Sequence, residues 1–221
     1  MHACLLRYRS NARPCLRFVP RDPHHTMNTP METMTVPGTA VLPTLRIRQA
    51  TAVDAAALAI FAARTFEETY GKDNRPEDLA LHLATAFGPR QQAAELADPH
   101  VVTLLAHCDG QLAAYAQVRR AVPPPCVAGR APIELHRLYI DRPWHGRGVS
   151  QRLLAEVRTV AAVQFGGATL WLKVWERNAR AIAFYAKSAF VDVGVADYFV
   201  GTDRQTDRVL VSTLAGSAPP P

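Results

Sequence analysis

Leu138-Tyr139-Ile140-Asp141-Arg142-Pro143-Trp144-His145-Gly146-Arg147-Gly148-Val149-Ser150-Gln151-Arg152-Leu153-Leu154 passes from an apolar run, through a turn holding two glycines, into a helical pattern. An α-helix leaves its first amides without internal acceptors and places the positive end of its dipole there, and glycines let a backbone approach a ligand closely. The stretch therefore reads as strand, anion-binding loop and helix start. A dinucleotide fingerprint needs a third glycine beyond Gly148, and a nucleoside-triphosphate loop needs Gly-Lys-Ser/Thr; both are absent. Alone, the glycine pair also suits a plain tight turn, so the flanking sequence has to decide.

Working outward, Ile133 to Ile140 is the strand entering the loop, the helix runs from about Val149 to Phe165, and Leu170 to Val174 is the strand after it. A strand, helix, strand unit predicts two parallel neighbours joined by a crossover. Downstream, Asn178 to Lys187 reads as a helix, and Phe190 to Val195 and Val209 to Leu214 as two last strands. Upstream, Val101 to Ala106 and Leu112 to Val118 flank Asp109-Gly110, a hairpin signal. Leu45, Ile47 and Gln49 alternate with Arg46 and Arg48 as a half-buried strand. Thr51 and Asp54 then form a capping box for a helix with Leu58, Phe61, Ala62 and Phe66 on one face, and Gly71 ends it. Pro76 with Glu77 and Asp78 starts a second helix that Phe87-Gly88-Pro89 breaks. The expected order is βααβββαβαββ, an α/β (α+β) fold with a mixed sheet.

Composition bounds the class. The chain has 221 residues, 48% hydrophobic and 20% charged, so one globular domain without stabilising disulfides or metal is expected. No apolar run approaches the roughly 18 residues of a membrane span. Cys4, Cys15, Cys108 and Cys126 show no metal-ligand spacing, so no metal site is expected and a reducing, cytoplasmic setting fits. Half of the net charge of +6 lies in residues 1–44, where five arginines stand against Asp22 and Glu32, which leaves too little elsewhere to argue for nucleic acid. Residues 1–44 hold six prolines and no sustained period and read as a disordered tail or upstream extension, with Met27, Met31 and Met34 as alternative starts to Met1. Residues 45–214 form the expected domain and 215–221 a flexible end.

The spacing of the remaining motifs resembles the GNAT N-acetyltransferase superfamily. Its diphosphate loop follows Gln/Arg-x-x-Gly-x-Gly/Ala, matched in spacing here by His145-x-x-Gly148-x-Ser150, where His145 and Ser150 depart from the usual residues without removing a backbone amide, and its next helix carries Asn178, Ala181 and Ala183-Phe184-Tyr185. Ala189 stands where the family usually has a glycine before the Phe, a departure at a helix end that often needs the left-handed conformation. The resemblance covers about residues 45 to 214, and the stretches Phe66-Glu67-Glu68-Thr69-Tyr70 and Gly201-Thr202-Asp203-Arg204-Gln205-Thr206-Asp207 resemble its polyamine-acetyltransferase-like branch. It implies a mostly antiparallel sheet of six to seven strands, flanked by helices, whose central parallel strands splay apart. It also implies acetyl-CoA as co-substrate and direct acetyl transfer to a primary amine, a polyamine or another small amine.

Carried across, the amides of Gly146, Arg147, Gly148, Val149, Ser150 and Gln151, entered from His145, hold the diphosphate of acetyl-CoA. The Leu138-Tyr139-Ile140 edge pairs with the pantetheine arm and Asn178 bonds it from the other side, while also suiting a helix N-cap. Tyr185 is the implied general acid, protonated at neutral pH because a tyrosine ordinarily titrates near 10, and it contacts the cofactor. Glu134 sits at the family's base position, where desolvation would raise its pKa unless it pairs with Arg137 or faces solvent; His136, which an alternating strand places on the same face, and a water are the alternatives. Phe66, Glu67, Tyr70 and Tyr198 are the acceptor-site candidates, with Glu68, Asp197 and Phe199 beside them. A silent CoA-binding or regulatory module and a protein N-terminal acetyltransferase remain the competing functions, and a homodimer is left open. Neither nucleic acid nor a membrane is expected as partner.

Overall fold

The computed structural model describes residues 44–214; the expectations for the N-terminal tail and the C-terminal end fall outside that range. Strand β1 (Leu45–Gln49) is followed by helices α1 (Ala55–Tyr70), α2 (Pro76–Ala86) and α3 (Pro89–Ala97). Then come β2 (Val101–Cys108), β3 (Gln111–Arg119), β4 (Pro132–Ile140), α4 (Val149–Thr159), β5 (Thr169–Trp175), α5 (Ala179–Lys187), β6 (Val191–Val200) and β7 (Asp203–Thr213). The seven strands form one sheet in the order β1-β2-β3-β4-β5-β7-β6. Only β4 and β5 run parallel, as the crossover through α4 requires.

Helix α3 is a correction to the expected order. The break at Gly88-Pro89 ends α2 but also places a proline at the first position of another helix, where its missing amide costs nothing. The last two strands are longer than expected and join in a tight hairpin at Gly201-Thr202, so Asp197, Tyr198 and Phe199 lie within β6 and Asp207 within β7. At the β2–β3 hairpin, Asp109 and Gly110 both take positive φ, 50° and 82°, as its two-residue turn demands. The helix after the glycine loop ends its α part at Thr159 and continues as a wide turn, Val160–Gln164.

The sheet is covered on both faces. On one, Leu153, Leu154 and Val157 of α4 bury against Ile133, Leu135, Leu170 and Leu172. On the other, Phe61, Ala62 and Phe66 of α1 pack with Leu79, Phe87, Leu105 and Tyr115. Fully burying such side chains stabilises by about 1.5–3 kcal/mol each, which fixes the sheet from both sides and leaves its central irregularity intact. Among the described residues no helix is long and apolar enough to cross a membrane.

Candidate active site

The irregularity lies in β4. Against β3 the register runs Gln117↔Arg137 and then Val118↔Leu135, so His136 is an extra residue, a bulge. Pairing with β5 covers only Pro132↔Thr169, Ile133↔Leu170 and Glu134↔Trp171. Beyond Glu134 the two parallel strands separate, and an open cavity of about 270 Å³ fills the wedge. The bulge also breaks alternation: Leu135 and Leu138 both join the α4 side of the core, whereas Arg137 lies under Phe87.

Leu138, Tyr139, Ile140, His145, Gly146 and Ser150 all border this cavity. The Ile140 carbonyl, expected to be open for a ligand, is already taken: His145 Nε2 donates to it at 2.8 Å, and Arg180 Nη1 donates to Nδ1 at 2.9 Å. His145 thus acts through its ring as well as through the backbone path it starts. Past it, Gly146 and Gly148 take φ of 74° and 79°, and a Cβ at either would meet nothing within 4 Å. The left-handed backbone, not a close packing partner, selects glycine there. The Arg147 amide turns inward to the Trp144 carbonyl at 3.4 Å, and its guanidinium stacks over the Trp144 ring, so Arg147 departs from the expected outward donor. Gly148 caps α4, whose first backbone bond runs from Arg152 to Gly148; the amides of Val149, Ser150 and Gln151 therefore lack intrahelical acceptors. The Val149 side chain is buried, and Gln151 Oε1 accepts from the Ser150 hydroxyl.

Across the wedge, Asn178 Oδ1 accepts from the Ala181 amide at 3.1 Å, capping α5, and Nδ2 donates to the Tyr70 hydroxyl at 3.2 Å. The cap role is thus seen, and the amide nitrogen reaches Tyr70 on the cavity side. Tyr185 projects from α5 into the cavity lining, its ring edge to face with Phe184 and Phe190 at 5.2 and 5.3 Å. Its hydroxyl has no hydrogen-bond partner among the described residues, and burial raises its pKa well above the ordinary tyrosine value. The group is a proton donor at every physiological pH.

Glu134 overturns one expectation. It is 1% exposed and lines the cavity. Desolvation alone would raise its pKa, but His136 and Arg119 together outweigh that, and the net direction is downward. Arg119 Nε donates to Oε2 at 2.6 Å, and His136 Nδ1 stands 3.5 Å from Oε1. A carboxylate so held stays ionised and is a weak base. His136 lines the same cavity, and burial lowers its pKa, so its imidazole is neutral near pH 7.

Of the acceptor candidates, Tyr70, Tyr198 and Phe66 border the cavity, whereas Glu67 is exposed on α1 and outside its lining. Phe66 packs with Tyr70, His82 and Phe87 at 4.8, 4.7 and 5.1 Å between ring centres. The Tyr198 hydroxyl meets His82 Nε2 at 3.2 Å. Glu68 pairs with Arg64, and Asp197 with Arg204. Sequence reading did not assign Trp175, Lys173 or Asp207 to the site. They border the cavity because β5 and β7 form its far wall, a placement visible only once the strand order is known.

A model of the acetyltransferase (GNAT) family matches residues 62–190. An uncharacterised N-acetyltransferase of Mycobacterium tuberculosis is 32% identical over 161 residues, 73% of this chain and 98% of that protein. The N-alpha-acetyltransferase RimI of the same organism is 34% identical over 143 residues, 61% of this chain and 84% of RimI. In three dimensions, a PaiA N-acetyltransferase from Thermoplasma acidophilum, solved with coenzyme A, superposes with a TM-score of 0.62 at 18% identity, covering 77% of this chain and 99% of that one.

Proposed function

Since the chain belongs to the GNAT family of acetyltransferases, a family whose model spans residues 62–190 of it, we propose that it transfers the acetyl group of acetyl-CoA directly to a primary amine, a polyamine or another small amine. The observation that carries this reading is the wedge: two parallel strands that part after Glu134, with helix-start amides at one end and Tyr185 on its wall. The residues fit the co-substrate. Gly146 and Gly148 leave open space above a left-handed loop, and the amides of Gly148, Val149, Ser150 and Gln151 suit a diphosphate at the positive end of the α4 dipole. The unpaired edge of β4 suits an extended amide-bearing arm, which it would bind as a strand.

Acetyl-CoA supplies an activated thioester acyl group. The chain's own residues do the rest: the α4 amides hold the anion, and the β4 edge with Asn178 aligns the arm. Tyr185 gives its hydroxyl proton to the departing sulfur. His136, neutral and oriented by the fixed carboxylate of Glu134, takes the proton that the amine loses. Such positioned proton transfers contribute about 10²–10⁴-fold each.

The test is thiol release from acetyl-CoA across a panel of amines. Release that requires an amine, with acetylated amine recovered, supports the reading. CoA binding without release with any amine rejects it in favour of a silent CoA-binding module. The RimI identity favours one second acceptor, a protein N-terminus, and a peptide arm in the same assay separates the two.

A further inference from the structure

We propose that Asp207 is the anionic anchor for the acceptor, holding the ammonium group of a cationic aliphatic amine against Tyr70, Trp175 and Tyr198; the inference rests on the acyl-transfer reading above and names the substrate class of that site. Asp207 is 5% exposed and borders the cavity. Buried carboxylates are normally paired, and its counterparts among the described residues are: Glu134 with Arg119, Asp78 with Arg75 and Thr202, and the half-buried Glu95 with Arg137. Asp207 has no ion pair and no side-chain hydrogen bond among the described residues. The charge of Lys173 only partly offsets its burial, so a direct partner has to come from the cavity.

The surroundings select a cation. Asp207 stands opposite Trp175 in the β5–β7 ladder, on the far wall of the wedge. Trp175 and Tyr70 meet edge to face at 5.9 Å, and Tyr198 borders the same space. Aromatic faces attract ammonium groups and add apolar contact to the methylenes beside them. Lys173 is the obvious internal competitor, but its Nζ lies over the Tyr198 ring, 5.5 Å from the centroid, and makes no ion pair with Asp207. The remaining nearby charge, Glu176, is exposed and of the same sign as Asp207. Burial pushes the Asp207 carboxyl up to about 6, as expected of a charge waiting for a counter-ion.

The test compares the wild type with Asp207→Asn and Asp207→Glu. Calorimetric titration with 1,4-diaminobutane and benzylamine is done on CoA-saturated protein at pH 7.5, and steady-state kinetics use the same amines plus aniline, which is uncharged at that pH. Expected results are an affinity loss and a KM increase of tenfold or more for both cations in Asp207→Asn. CoA affinity and any aniline acetylation should stay within twofold, with most of the loss restored in Asp207→Glu. Asp207→Ser replaces the amide variant should that one misfold. Unchanged cation affinity overturns the proposal, as does an equal loss toward CoA, aniline and the cations, or a wild type that binds neither cation. Cation binding that depends on Asp207 without any acetyl transfer keeps the anchor and rejects the transferase reading, so the two failures are told apart.

Discussion

The amide of Phe190 donates to the carbonyl of Tyr185 at 3.1 Å while the rings of the two residues meet edge to face at 5.3 Å. This pair closes α5 with a backbone bond and its accompanying apolar contact, and so fixes the residue assigned the acid role. Between them lies Ala189 at φ 61°, the left-handed conformation that glycine adopts cheaply. An L-residue there costs about 1–2 kcal/mol, and glycine's extra chain entropy returns about 0.5–1. Ala189→Gly should therefore stabilise the protein by about 1 kcal/mol, a rise in Tm of about 2–4 °C for a chain of this size. Calorimetry checks it; a fall in Tm would mean that the cap is not strained.

Tyr185→Phe keeps the ring that packs between Phe184 and Phe190 and removes only the hydroxyl that faces the cavity. Turnover should fall by about 10²-fold or more, the range for loss of a positioned proton donor. CoA affinity should move less than twofold, since the phosphates are assigned to amides on the other side of the wedge. Parallel loss of affinity and kcat would make Tyr185 a binding residue instead.

Much of this site was legible because its signals are local. Paired glycines before a helix, Asn178 at a cap and Ala189 at a helix end each act through their own backbone, and the structure gives them φ of 74°, 79° and 61° and a 3.1 Å cap bond. What escaped depends on distant chain. Glu134 read as a group whose burial raises its pKa, because nothing near it in sequence announces that Arg119 lies one strand away at 2.6 Å. Glu134 and His136 read as sharing a face by alternation, but their proximity comes with a bulge that alternation cannot foresee. Asp207 became visible only when the strand order placed β7 beside β5.

Arg119 and His136 hold Glu134 ionised by outweighing its desolvation. A carboxyl with a depressed folded pKa contributes stability that is present above its ordinary titration range and is lost as pH falls through the folded value. Arg119→Ala should cost about 3 kcal/mol at pH 7, since it strands a buried charge, and should flatten the acid limb of the stability curve. Urea midpoints between pH 3 and 7 for both proteins would show it. Equal midpoints at pH 7 would mean that His136 suffices as partner.

Gly148→Ala places a methyl group in open space, so any loss comes from backbone strain at φ 79° and from the ligand side. Strain alone should lower stability by about 1–2 kcal/mol. If the loop amides hold the diphosphate, CoA affinity should drop by tenfold or more, and the stabilisation from saturating CoA, about 2.7 kcal/mol at 100 times the wild-type Kd, should shrink with it. A stability loss with unchanged CoA affinity would move the diphosphate elsewhere.

The remaining prediction sets stability against binding at Asp207. Its carboxyl titrates at about 6 in the fold against an ordinary 3.8, so the folded state holds the proton more tightly than the unfolded chain. A raised pKa of this kind leaves stability complete below the ordinary value and erodes it as pH rises through the folded one. The difference amounts to about 3 kcal/mol, fully expressed above neutrality. Asp207→Asn removes that cost and should raise the urea midpoint of the free protein at pH 8 while matching the wild type near pH 4. In saturating 1,4-diaminobutane the wild type should recover the deficit, because the cation supplies the missing counter-charge, and the variant should gain little. A variant less stable than the wild type at pH 8 would show that Asp207 serves the fold, and the anchor would have to be sought among the other groups of the cavity.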